Sequence, residues 1–112
     1  MKLIELAIMN NAIRNLRVAI NRFVDDRFPG WVECDFKDAY DKRHIIVDKV
    51  PMVTTEMLDS DSTYPVIGSL DCQVREEFRD VQGRELVRIS IVPVVTTEGI
   101  WEFTVLREQL SG

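Results

Sequence analysis

The sequence predicts an α+β fold: an N-terminal helix packed on a curled antiparallel sheet of about five strands, with one β-hairpin written twice. Three observations carry this expectation. Apolar residues recur at spacings of three and four near the start of the chain. From Trp31 onward they alternate with polar residues. A stretch of the chain then repeats itself further on. A period near 3.6 marks a helix with one buried face, and a period of two marks half-buried strands.

The helix is expected over residues 12–27. Its stripe runs Leu6, Met9, Ile13, Leu16, Ile20 and Phe23, with Arg14, Arg17, Asn21 and Arg22 largely off it. Pro29-Gly30 ends it, because proline disfavours helical geometry at Phe28 and glycine suits a turn. Asn10 or Asn11 could cap its start, leaving residues 1–10 as a separate strand or as an extension of the helix.

Five alternating segments follow. Val32, Cys34 and Phe36 alternate with Glu33, Asp35 and Lys37; Ile45 and Val47 alternate with His44, Ile46 and Asp48. The third runs Val66, Gly68, Leu70, Cys72, Val74, the fourth Val87, Ile89, Ile91, and the fifth Trp101, Phe103, Val105. One apolar and one polar face suit an antiparallel sheet over residues 31–108, and Asp38–Arg43 and Asp80–Glu85 are short enough for hairpin turns. Trp31 and Trp101 read as core.

The repeat is the most specific feature. Shifted by 42 residues, Val32–Glu56 overlays Val74–Glu98 without a gap. Val32/Val74, Phe36/Phe78, Asp38/Asp80, Val50/Val92, Pro51/Pro93, Val53/Val95, Thr54/Thr96, Thr55/Thr97 and Glu56/Glu98 are identical. A β-hairpin is therefore used twice, leaving each time through Val-Pro-x-Val-Thr-Thr-Glu. The sharper reading of the repeat is a paired site at Glu56 and Glu98.

The 112 residues fit one domain, 1–112, with 14 Lys+Arg against 19 Asp+Glu and a net charge of −5. No apolar run is longer than Leu6–Met9, and Glu5 interrupts anything like a leader, so neither a membrane span nor a signal peptide is expected. Without a basic tract the chain is not expected to bind nucleic acid. Cys34 and Cys72 read as reduced thiols of a cytoplasmic protein.

Residues for catalysis are scarce. His44 is the only histidine and reads as a surface or hairpin-end residue. One His and two distant Cys do not supply a zinc site. Asp59-x-Asp61-x-Thr63 opens like a calcium loop, but Tyr64 and Leu70 stand where its Gly and Glu belong. No phosphate-binding or nucleophile-elbow motif occurs. No cofactor, metal or catalytic residue is therefore assigned.

Charge is unevenly spread. Residues 1–30 carry +2, residues 31–80 carry −6 and residues 81–112 carry −1. An acidic surface steers a basic partner toward it. The candidate binding residues are Asp38, Tyr40 and Asp41 in the first hairpin loop, and Glu56, Asp59, Asp61 and Tyr64 in the longest loop, because exposed aromatics ringed by charge anchor interfaces.

The runs Phe28-Pro-Gly-Trp-Val-Glu-Cys-Asp-Phe, Asp48-Lys-Val-Pro and Tyr64-Pro-Val-Ile-Gly resemble a group of small uncharacterised bacterial single-domain proteins, over about residues 12–107. In its compact, acidic character the chain is similar to immunity proteins of toxin systems. That resemblance implies a protein partner and carries over no functional residue. The expected function is a non-enzymatic cytoplasmic binding protein, of the immunity or inhibitor type, that offers an acidic surface to a basic protein. The alternative is a small-ligand or regulatory module with a pocket between helix and sheet, lined by Cys72 and Phe103. An enzyme using carboxylates is the third reading. A homodimer through an exposed sheet edge is compatible with each.

Overall fold

A computed structural model describes residues 13–91 and 94–112. The strands are β1 (Ile13–Asp25), β2 (Trp31–Lys37), β3 (Arg43–Lys49), β4 (Val66–Arg79), β5 (Glu85–Ser90), β6 (Glu102–Leu106) and β7 (Leu110–Ser111). A single helical turn, α1 (Val50–Val53), follows β3, and a 3-10 turn (Arg107–Gln109) precedes β7. One antiparallel sheet has the order β3-β2-β1-β4-β5-β6, with β7 paired to β1.

The helix expected over residues 12–27 is not formed: residues 13–25 are β1, and Asp26 and Arg27 lead into the turn before β2. The reason lies in its pairing. Leu16, Val18 and Ile20 are buried at a spacing of two, as in any strand. Ile20 then pairs with Cys34 and Arg22 with Glu33, so Asn21 is an extra residue on β1. Such a bulge shifts the inside–outside parity by one. Phe23 therefore packs on the core three residues after Ile20 and imitates helical spacing. The alternatives for residues 1–10, including Leu6 and Met9, lie outside the described residues.

The sheet curls into a half-barrel around a core that includes Leu16, Ile20, Val32, Ile46, Ile89 and Val105. Backbone bonds tie its two ends together. Ala39 N–H donates to the Thr104 carbonyl and Thr97 N–H to the Ile45 carbonyl, both at 2.9 Å. The Gln109 side-chain amide reaches the Lys37 carbonyl at 2.8 Å. Among the described residues, opposite parts of one curled sheet bury each other's apolar faces where the expected helix would have covered them.

In β3 the faces are the reverse of the expected ones. His44, Ile46 and Asp48 point inward, while Ile45 is half-buried and Val47 exposed. β3 ends the sheet, and an inward-pointing charge with a loop across the edge is a known guard against unwanted strand pairing. The α1 turn then lies against β4 at Gly68, where a Cβ would sit 2.5 Å from the Val53 carbonyl oxygen. Only glycine lets the two backbones approach so closely. Trp31 is half-buried with Lys49 over its ring, and Trp101 is 45% exposed, so neither is the fully buried core residue expected.

The repeat is structural. Both copies are hairpins, β2–β3 and β4–β5, closed by the same turn. Asp38 N–H donates to the Lys42 carbonyl and Asp80 N–H to the Arg84 carbonyl. Asp41 and Gly83, 42 residues apart, both take positive φ, at 65° and 83°. After the hairpins the Thr54 and Thr96 hydroxyls accept from the N–H groups of Glu56 and Glu98. The copies then diverge, the first into the long loop before β4 and the second into a tight turn before β6.

Candidate functional site

The seven candidate residues fall into two groups at opposite ends of the β2–β3 ladder. Asp38, Tyr40 and Asp41 sit in the hairpin turn beyond the Lys37–Arg43 pair, whereas the loop carrying Glu56, Asp59, Asp61 and Tyr64 leaves through α1, beyond the Trp31–Lys49 pair. Seven paired residues at about 3.3 Å each hold the groups roughly 20 Å apart. Glu98 lies 3.9 Å from Lys42, at the hairpin-turn end, so the structure does not bring Glu56 and Glu98 together.

At the hairpin end Asp38 turns inward. Its Oδ1 accepts from the Tyr40 and Lys42 N–H groups at 2.8 and 3.1 Å, and its Oδ2 lies 2.8 Å from His44 Nε2. Burial opposes ionisation of Asp38, but the hydrogen bonds from His44, Tyr40 and Lys42 outweigh it and hold the carboxyl below its usual value. Tyr40 is exposed and Asp41 supplies the left-handed residue of the turn. His44 stands at the hairpin end but not on the surface: it is 3% exposed, between Phe36 and Phe103 at ring distances of 5.3 and 4.6 Å. Its Nδ1 has no partner among the described residues. In the neutral ring the proton belongs on Nε2, donated to Asp38, which leaves Nδ1 an unpartnered acceptor. This Asp–His pair closes a turn, and among the described residues neither side chain hydrogen-bonds to a Ser, Thr or Cys side chain. Sequence reasoning missed it because partners six residues apart meet only once the hairpin register is known.

At the other end the loop is held by its own bonds. Asp59 Oδ1 accepts from Asp61 N–H at 2.8 Å and from the Ser62 hydroxyl at 3.3 Å. The Tyr64 hydroxyl donates to the Asp59 carbonyl at 2.7 Å, and the half-buried ring packs on the core. Asp59 and Tyr64 thus shape the loop, and Glu56 and Asp61 stand in solvent. Among the described residues no three His, Cys, Asp or Glu side chains are grouped to hold a metal.

Beside this loop lies a feature the sequence did not announce. An open cleft of about 520 Å³ runs between Phe28-Pro29 of the β1–β2 turn and the segment Val50–Leu58. Phe28 and Met57 flank it, each 98% exposed. The only sequence signal was a bulky apolar residue beside turn formers, in Phe28-Pro29-Gly30. A second groove of about 610 Å³ lies between α1, β4 and β7, with Arg17, Ser69, Asp71 and Glu108 on its walls.

The alternative ligand pocket loses its helical wall, since residues 13–25 are sheet, and Cys72 and Phe103 both belong to the packed core. Burial pushes the Cys34 thiol up to about 12 and the Cys72 thiol up to about 11. Neither is poised as a nucleophile. Among the described residues no helix is long and apolar enough to cross a membrane. No family model, no curated protein and no solved structure matches the chain.

Proposed function

We propose that the chain is a cytoplasmic binding protein with no catalytic chemistry of its own, of the immunity or inhibitor type, and that it offers an acidic loop surface to a basic protein. One observation supports this above the others. Residues 50–65 carry Glu56, Asp59 and Asp61 and no basic residue, and the same loop holds Met57 out in solvent. Charge of one sign beside exposed apolar surface raises the rate of encounter with a basic partner and gives it something to bury. The hairpin-end group contributes less, because Asp38 is turned inward on His44.

Retention of source-cell proteins on the immobilised chain tests the reading. We expect a basic protein to be held at low salt, released as ionic strength rises, and held about tenfold less by Glu56→Lys/Asp61→Lys. Retention indifferent to both salt and charge reversal, or no retention, overturns it.

A further inference from the structure

We propose that the cleft between the β1–β2 turn and the loop after α1 receives one bulky apolar side chain from a Lys/Arg-rich segment of a partner protein. The inference rests on the acidic-surface reading and names what that surface takes.

The cleft has a floor and two free flanks. Val50 is 5% exposed and belongs to the core, and Leu58 packs against that core from the loop. Proline at positions 29 and 51 stiffens both walls. The flanks, Phe28 and Met57, are left almost wholly in water, and Met52 on α1 is 52% exposed nearby in the chain. Another exposed apolar pair, Met52 and Ile67, lines the second groove, whose walls also carry Arg17, Ser69 and Asp71 and so are not of one charge. A rigid ring opposite an adaptable thioether suits a site that closes on an inserted side chain. The volume of about 520 Å³ falls within the roughly 300–1,000 Å³ of clefts that enclose a compact ligand group.

Charge selects the occupant. Glu56 lines the cleft, Asp59 and Asp61 follow it, and no base lies within residues 50–65. On the opposite flank Arg27 is engaged with Asp25 at 2.8 Å. A second copy of this loop would set carboxylate against carboxylate, and an acidic segment or an anionic lipid surface would be repelled in the same way. A segment with lysines on either side of one apolar residue fills the cleft and meets the carboxylates together.

The test uses the full chain, isotope-labelled for NMR, and three fluorescent peptides: one leucine flanked on each side by two lysines, the same peptide with serine for leucine, and the same with glutamates for lysines. We expect shift changes centred on Phe28, Val50, Met57 and Leu58 with the first peptide. Its affinity should fall about tenfold, or 1.4 kcal/mol, when serine replaces leucine or in Phe28→Ser and Met57→Ser. The glutamate peptide should not bind. The serine peptide keeps the protein unchanged, so a folding defect in a variant cannot imitate the result. If leucine and serine peptides bind alike, or the shifts centre elsewhere, the cleft is not the receptor. Salt-sensitive retention of a basic protein would then still support the acidic-surface reading, which fails only with its own test.

Discussion

Asp38 and Asp80 hold the same place in the two copies of the hairpin turn, each accepting backbone N–H bonds from the residues two and four positions on. They differ in what the second carboxylate oxygen meets. For Asp38 it is the buried ring of His44; for Asp80 it is the exposed guanidinium of Arg84 at 2.8 Å, whose Nη1 also reaches the Ala39 carbonyl of the other turn at 3.1 Å. Identical turns thus carry different loads. Asp38→Ala is expected to cost about 2–3 kcal/mol, since it strands a buried ring nitrogen as well as two N–H groups. Asp80→Ala, with solvent at hand, should cost distinctly less. Urea unfolding of the two variants checks the order; equal costs would mean that His44 is not held by Asp38.

Acid should loosen the fold through the same carboxylates. The Arg27 guanidinium and N–H hold Asp25 below its usual value, and the N–H and guanidinium of Arg84 do the same for Asp80. With Asp38 also lowered, each contributes stability that is present above the unfolded carboxylate range and lost as pH falls through the folded value. The urea midpoint should therefore drop as the pH falls below the usual carboxylate range, roughly pH 4. Asp38→Asn should show a smaller drop than the parent chain. A midpoint insensitive to acid would contradict these pairings.

Gly68→Ala should be among the costliest single-methyl changes in the molecule. The added carbon would meet the Val53 carbonyl oxygen at 2.5 Å and Ile20 Cδ1 at 2.7 Å, and the carbonyl belongs to backbone that cannot turn aside. Overpacking of this kind costs about 1–3 kcal/mol. At Gly83 a Cβ would meet open space, so Gly83→Ala pays only for its φ of 83°, about 1 kcal/mol. Thermal melting of both variants separates crowding from backbone strain.

Cys34 and Cys72 should resist alkylation in the folded protein. They are 0% and 2% exposed, with thiols pushed up to about 12 and about 11. Iodoacetamide at about pH 8, read by mass spectrometry, should add nothing over minutes and modify both once urea unfolds the chain. Rapid labelling at neutral pH without denaturant would show that the sheet opens.

What the chain reveals before folding follows from how cleanly each strand alternates. β2 and β6 are legible because Val32, Cys34, Phe36, Phe103 and Val105 are apolar and alternate with mostly polar neighbours; β5 shows through Val87 and Ile89, although Leu86 and Ser90 of the other parity are buried too. β1 is not legible, because the bulge at Asn21 gives Ile20 and Phe23 a helix-like spacing. β3 conceals which face is buried, since Ile45, Ile46 and Val47 offer both parities and hydropathy argues against burying His44 and Asp48. Both hairpin turns were visible through the repeated aspartates. The cleft was not, because it joins Phe28 to Met57 across two connections whose approach no local pattern encodes.

The central place of β1 has a consequence for the order of events during synthesis. Ile13 waits for Gln73, and Leu16 waits for Leu110, before the strand has its neighbours. The β2–β3 hairpin can form early and occupy one flank of β1, while the other flank stays open until β4 has been made. Non-local pairing of this sort is slow, and an open apolar edge invites pairing between chains. Arg14 and Arg17 stand on that waiting stretch, on either side of Leu16. Charges so placed act as gatekeepers: two arginines within four residues disfavour pairing of the nascent strand with another chain.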